Sequence, residues 1–428
     1  MSNISPGSAM TLSPTRGLAA PLLLVACALA ALLWLLPDKM IGDESVHFLQ
    51  AKMFAHGEWT IHPALATWPT TNALVALFMK VAGSEALWVA RAVISLFALL
   101  AAVAFARLAA CFDPADAPMR TLQFFLLPVV LPYCGLVYTD IPALAALLWM
   151  FAAAMRGEPV GFCAAGLLAV AVRQSNIFWL LAGTAAYLHQ AQYRSGISQN
   201  TAVGFLPGWR VLRQQVRVLA FVAFVLAVWL VVVACNGSVT LGPATQDSHL
   251  MKPRGLPNME FLMGLAGLLF APLLVPGWRR FREALHPLRR MVVLLAVAAF
   301  IAATFAVKHF DNTDVAAVEA FLRNRVLHAI VHNGLLWPFA FFAALSACCL
   351  ASLPMHEEAG RRWLFWLVCG LYLLPFWLIE QRYYLPVFAL FWAARKPVGR
   401  SVEWLQLGWG ALLSAAVLWM IVSRNMFI

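Results

Sequence analysis

The chain has 428 residues, of which 63% are hydrophobic and 11% charged, and carries a formal net charge of +11. A soluble globular domain sits nearer half apolar and a quarter charged, so that class is excluded. The apolar residues gather into runs near the ~20 residues a membrane helix needs, with none of the apolar-polar alternation of a barrel strand. The chain is therefore expected to be an all-α polytopic membrane protein with a single integral domain over residues 1–428.

Arg16 precedes an apolar run over residues 18–36. That run exceeds the ~7–15 residues of a signal-peptide core and is read as a retained first helix. The stretch "PDKMIGDESVHFLQAKMF" follows directly and opens a first outer loop, residues 37–85. Within it, "PTTNALVALFMKVAG" (69–83) is too short to span and is expected to lie at the membrane surface. Further spans are expected at 86–106, 121–137, 141–155, 160–172, 176–190, 218–235, 260–276, 291–307, 333–353, 363–379, 383–394 and 405–423, about 13 transmembrane helices in all. All eight cysteines lie in or near spans, with no spacing for zinc or a disulfide frame, and read as small apolar residues.

With the N-terminus in the cytoplasm, 18 of the 30 basic residues fall in short inner segments, and 12 of the 19 acidic residues fall outside. The positive-inside rule favours this orientation, and it makes the basic excess a topology signal rather than a nucleic-acid footprint. Six polar clusters then share the outer face: "GDESVH" (42–47), "YTD" (138–140), "RQSN" (173–176), "GPATQDSH" (242–249), "KHFDNTD" (308–314) and "EQRYY" (380–384). The inner loops are equally wet yet lack such a mixture, so an outer-face active site is the economical reading.

A helix starting near Asp43 places Asp43, His47 and Gln50 on one stripe and Glu44 on its neighbour. A carboxylate at the membrane boundary suits a general base, because partial desolvation moves its pKa toward neutrality. The alternative makes Asp43 a helix cap and Glu44 a dipole partner. Asp140, beside Tyr138 and ahead of Pro142, equally suits an N-cap or a substrate contact. Arg173 leaves an apolar run and needs a partner. That partner is a phosphate gripped by the guanidinium fork, a carboxylate such as Asp140, or lipid head groups. Arg382 is a second phosphate ligand or a snorkelling anchor, and Asn176, near Arg173, is expected with His47, Tyr138 and Asp140 to bind substrate. Two outer loops, 236–259 and 308–332, are expected to bind substrate through Asp247, His249, Lys252 and Arg254 and through His309, Asp311 and Asn312. Their spacing fits no metal template, so neither a metal nor a cofactor is expected.

These motifs together carry a resemblance. "GDESVHFLQAKMF" resembles the "MDEIFHIPQAQ" signature of the eukaryotic alpha-1,2-glucosyltransferases that add the last glucose to the dolichol-linked oligosaccharide. "YTD" is similar to that family's "YYTD", "AVRQSNIFWL" to its "RQTNIVW", and "IEQRYYLPVFALFW" to its "EPRYFILPYLIY", all in the same order. Between 236 and 330 the likeness is looser, "GPATQDSH" resembling "GDKSxH" and "HFDNTD" resembling "ADNRHY".

The resemblance implies a GT-C enzyme moving a hexose, glucose foremost, from a polyprenyl-phosphate donor to a glycan or glycolipid acceptor on the extracytoplasmic face, with inversion. It implies catalytic roles for Asp43 and Glu44 and donor-phosphate binding by Arg173, Gln174 and Arg382, with Lys252 and Arg254 as helpers. A sister enzyme using mannose or aminoarabinose shares the architecture. A transporter would place ionisable residues at mid-bilayer depth and show internal repeats, neither of which the sequence displays. Residue usage rich in Ala, Leu and Arg points to a bacterial inner membrane, with the site on its periplasmic side, over the endoplasmic reticulum lumen.

Overall fold

The computed structural model describes residues 17–195, 209–242, 256–305, 321–356, 362–374, 376 and 378–424. Among them the backbone is helical, without a β-strand, and an isolated bridge pairs Met355 with Arg395. In chain order the helices are α1 (Ala19–Leu35), α2 (Glu44–Ala55), α3 (Thr70–Ala82), α4 (Leu87–Phe112), α5 (Ala117–Phe125), α6 (Asp140–Met155), α7 (Pro159–Val172), α8 (Ile177–Arg194) and α9 (Trp209–Gln214). They continue with α10 (Val216–Asn236), α11 (Leu256–Leu269), α12 (Ala271–Ala284), α13 (Pro287–Phe305), α14 (Leu322–His332), α15 (Leu336–Ala351), α16 (Arg362–Leu373), α17 (Leu385–Ala394) and α18 (Arg400–Arg424).

The centre of the bundle is α6, packed between α4 and α7. All its residues but Trp149 and Met155 are buried, the pattern of a helix that is apolar all round. Alanines on both sides of the contact, including Ala98, Ala101 and Ala102 on α4 and Ala145, Ala152 and Ala153 on α6, are buried and let the backbones approach closely. Between α11 and α15 the approach is closer still: a Cβ on Gly267 would collide with the Ser346 side chain.

Helix lengths vary widely among the expected crossings. Among the described residues, four helices are long and apolar enough to span, or six if each of two bent pairs is one span. Helices α6, α7 and α17, with 16, 14 and 10 residues, are about 24, 21 and 15 Å long at 1.5 Å per residue, short of the ~30 Å hydrocarbon layer. The run 121–137 is not one helix: α5 ends at Phe125, and a 3₁₀ turn follows over Pro132–Gly135. Pro128 and Pro132 explain the break, since neither can supply the amide that helix propagation needs.

The run 260–276 is bent by 105° between α11 and α12. The carbonyls freed there are satisfied by α18, where Trp409 Nε1 donates to Leu268 O (2.8 Å) and Gln406 Nε2 to Leu269 O (2.9 Å). A second bend, 113°, separates α14 from α15, with Gly334 at a positive φ of 76° in the connection.

Two basic residues expected in wet inner loops are instead buried. Arg395 is fully enclosed, pairs with Glu403 and donates to Gln123 Oε1 (3.1 Å), while Arg120 donates to Ala393 O (2.7 Å). This cluster ties α5, α17 and α18 together at the bundle end opposite Asp140.

Candidate active site

Four sequence-distant chain breaks meet at the other end of the bundle. They are the start of α2, the start of α6, the 3₁₀ turn Gln174–Asn176 after α7, and the 3₁₀ turn Gln381–Tyr384 before α17. Together they wall a cavity of about 230 Å³. Asp43, His47, Asp140, Arg173, Gln174 and Arg382 line it, with Thr67, Phe178, Trp229, Thr240, Phe376 and Tyr383 among the remaining wall residues. Of the six polar clusters in the sequence, the four that lie within described residues therefore contribute to one space. Asp247, His249, Lys252, Arg254, His309, Asp311 and Asn312 lie outside the described residues.

Asp43 occupies the N-cap position of α2, yet its carboxylate makes no cap bond. Oδ2 accepts from Arg382 Nη2 at 2.7 Å, and 51% of the side chain stays exposed. The turn carrying Asp43 is clamped by Tyr138, 95 residues away. The Asp43 N–H donates to the Tyr138 hydroxyl (2.8 Å), which donates in turn to Ile41 O (3.1 Å). Burial pushes the Asp43 carboxyl up, but the Arg382 charge and hydrogen bond outweigh it and hold the group below its ordinary value.

Glu44 behaves oppositely, and the catalytic role expected for it is corrected. Its side chain is fully buried and turned from the cavity, 100° around the helix from Asp43. Its carboxylate accepts from Arg91 Nε (2.9 Å) and Nη2 (2.7 Å), from the Val137 N–H (3.0 Å) and from the Ile41 N–H (3.0 Å). Arg91 gives two further hydrogens to the carbonyls of Pro37 (2.7 Å) and Lys39 (2.9 Å). The pair is a bracket holding the first loop to α4, and no acceptor capacity is left for a substrate.

Arg173 pairs with Asp140 and lies over the Tyr383 ring, 5.1 Å from its centroid. Of the partners open to Arg173 in the sequence, the structure shows the carboxylate. Arg382 also reaches Glu380 (3.0 Å) and Asp140 (4.0 Å) and stands 5.3 Å from the Tyr138 ring. Glu380 is held by Arg323 as well (2.6 Å). Among the described residues the site is thus a chain of three carboxylates and three guanidinium groups of balanced formal charge. An entering anion has to compete with Asp140, Glu380 and Asp43 for the arginines.

Gln174 lines the cavity, but its amide nitrogen is engaged by the backbone, against the phosphate binding expected of it. Its amide hydrogens are taken by Ala66 O (2.8 Å) and Val239 O (2.9 Å), so it staples the first loop to the segment after α10. That junction is tight: a Cβ on Gly242 would collide with the carbonyl oxygens of Pro63 and Leu65. Tyr138 and Asn176, expected to touch substrate, are buried and absent from the cavity wall. Asn176 donates to Ala169 O (3.0 Å) and closes the end of α7. Gln50, on the same stripe as Asp43, is likewise spent on Thr60 O (3.0 Å) and the His62 N–H (2.6 Å).

Sequence reading did not single out Trp229, Thr67 or Glu380. Glu380 alone had a signal, an acid two residues before Arg382. Trp229 sits inside an apolar run, where nothing distinguishes a cavity-wall tryptophan from a packing one; its Nε1 donates to Gln174 O (3.0 Å).

Comparisons with known proteins bear on this arrangement. The model of the DIE2/ALG10 family matches residues 37–393. Two crystal structures of ArnT from Cupriavidus metallidurans are similar at 16% identity. The one bound to undecaprenyl phosphate has a TM-score of 0.43 over 92% of this chain and 76% of that one. The apo structure has a TM-score of 0.42 over 95% and 78%. No curated protein gives a significant match. The family match spans every motif that lines the cavity, and the chain belongs to the DIE2/ALG10 family of glycosyltransferases.

Proposed function

We propose that the protein transfers a hexose, glucose foremost, from a polyprenyl-phosphate donor to a hydroxyl of a glycan or glycolipid acceptor on the extracytoplasmic face of a bacterial inner membrane. The observation that carries the reading is one cavity lined by an accessible carboxylate, Asp43, and by two guanidinium groups, Arg173 and Arg382. Asp43 takes the proton of the acceptor hydroxyl, whose oxygen bonds to the anomeric carbon from the face opposite the phosphate. The bond from that carbon to the phosphate oxygen breaks, its electron pair leaves with the polyprenyl phosphate, and the configuration inverts. Arg173 meets the charge that develops on the phosphate, in a site where fixed cations outperform water.

Arg382 has to change partners during this cycle. A carboxylate gripped at 2.7 Å by a guanidinium is a poor base, and the donor phosphate offers Arg382 a substitute anion. The reading assigns charge neutralisation to arginines and needs no metal ion, so a chelator leaves transfer unchanged.

The test is purified protein in lipid vesicles with labelled polyprenyl-phosphate glucose and a membrane extract as acceptor, run beside the mannose and aminoarabinose donors. Wild type consumes the glucosyl donor, Asp43→Asn does not although it inserts and folds, and Arg173→Ala needs far more donor. Failure to consume any such lipid, or full activity of Asp43→Asn, overturns the reading.

A further inference from the structure

His47 stands one helical turn after Asp43 on the same stripe of α2, and lines the cavity. Its residue is 8% exposed, and its ring lies 6.0 Å from that of Tyr138. Asn72, on α3, fixes the side of the imidazole turned away from the cavity. Its Nδ2 donates to the His47 carbonyl at 2.8 Å, which orients the amide, and the same nitrogen faces His47 Nδ1 at 3.5 Å. A ring nitrogen facing an N–H is the acceptor, so the proton belongs on Nε2. Nε2 has no protein partner among the described residues, whereas the arginines lining the cavity are engaged by carboxylates.

We infer that His47 is the uncharged hydrogen-bond donor with which the cavity grips a hydroxyl of the transferred hexose through Nε2–H. The inference deepens the proposed function and rests on it. Burial pushes the imidazole pKa down to about 4, and the nearby charges of Asp43 and Asp140 do not restore it. At neutral pH the ring therefore adds no charge, which suits a hydroxyl. A phosphate is better served by Arg173 and Arg382, already in the wall. The position agrees: His47 lies one turn from Asp43 and lines the same cavity. Specificity follows from the same chemistry, because a site built to hydrogen-bond a hydroxyl discriminates against a sugar that lacks or misdirects it.

The experiment compares wild type, His47→Gln, His47→Asn and His47→Leu in lipid nanodiscs, measuring binding of bare polyprenyl phosphate, binding of polyprenyl-phosphate glucose, and turnover. Gln places an amide N–H near the Nε2 position, Asn near Nδ1, and Leu supplies no donor. Expected is a loss of roughly five- to tenfold in affinity for the sugar-lipid in His47→Leu, unchanged affinity for the bare lipid, and recovery in His47→Gln but not in His47→Asn. The pH profile of kcat/KM between pH 6 and 8 keeps its shape in His47→Gln. An equal loss for both lipids makes His47 a phosphate ligand and overturns the inference. So does wild-type behaviour of His47→Leu, or rescue by Asn alone. If His47→Leu misfolds, the Gln and Asn variants decide between the same outcomes. A wild type that binds the bare lipid no worse than the sugar-lipid removes the sugar subsite, while one that uses no lipid-linked sugar removes the proposed function itself.

Discussion

Glu44→Gln separates the two acids of the "DE" pair. Glu44 is fully buried and receives four hydrogen bonds, two of them from Arg91, whose own side chain is 4% exposed. The amide of a glutamine can accept on one side only, so about half of those donors lose their acceptor, and Arg91 is left as an uncompensated buried cation. Breaking a buried ion pair from one side costs about 3–5 kcal/mol. The assay is thermal unfolding in detergent or nanodiscs, followed by turnover per folded molecule. The expected result is an apparent midpoint lowered by several degrees, a similar loss in Arg91→Met, and less than additive loss in the double variant. Turnover of the molecules that remain folded stays within about tenfold of wild type, since Glu44 does not face the cavity. A Glu44→Gln protein with wild-type stability and no turnover refutes the reasoning and returns Glu44 to the chemistry.

Tyr138→Phe removes the hydroxyl that clamps the Ile41–Asp43 turn. The expected effect is a fall in kcat of roughly tenfold with donor affinity retained, because the base loses its fixed position while the phosphate site is untouched; equal losses in both would point to general collapse of the site. Arg382→Gln removes the charge that holds Asp43 below its ordinary pKa against burial. The acid limb of kcat/KM, measured on the residual activity, then moves to higher pH. The stability term has the matching sign: with its folded pKa depressed, Asp43 contributes stability above the ordinary carboxylate range and loses it as pH falls through the folded value. In Arg382→Gln burial acts on Asp43 without that counterweight, so the acid-side loss shrinks or reverses sign, readable from unfolding midpoints measured against pH.

Composition and hydropathy made the membrane class and most helix positions legible. Runs such as 86–106 and 218–235 reappear as Leu87–Phe112 and Val216–Asn236, because a long apolar segment without Pro has no better way to satisfy its backbone than a helix. The gathering of "GDESVH", "YTD", "RQSN" and "EQRYY" at one end also followed from sequence, since each lies where an apolar run stops. The sequence failed where a run contains its own interruption. Residues 121–137 and 260–276 read as continuous by hydropathy, yet prolines and a right-angle bend divide them.

Roles within the clusters were a tertiary decision. Asp43 and Glu44 are adjacent, both acidic and equally polar by any scale. One becomes accessible and the other buried because α2 turns them 100° apart, toward Arg382 and toward Arg91. Gln174 is likewise indistinguishable in sequence from a ligand-binding amide until Ala66 and Val239 claim its hydrogens. By itself the sequence determined that polar groups leave the lipid together at one end of a helical bundle, because hydropathy is a property of local composition. Which of those groups remain available to a substrate was decided only by the fold, because a hydrogen bond is committed by partners tens to hundreds of residues away.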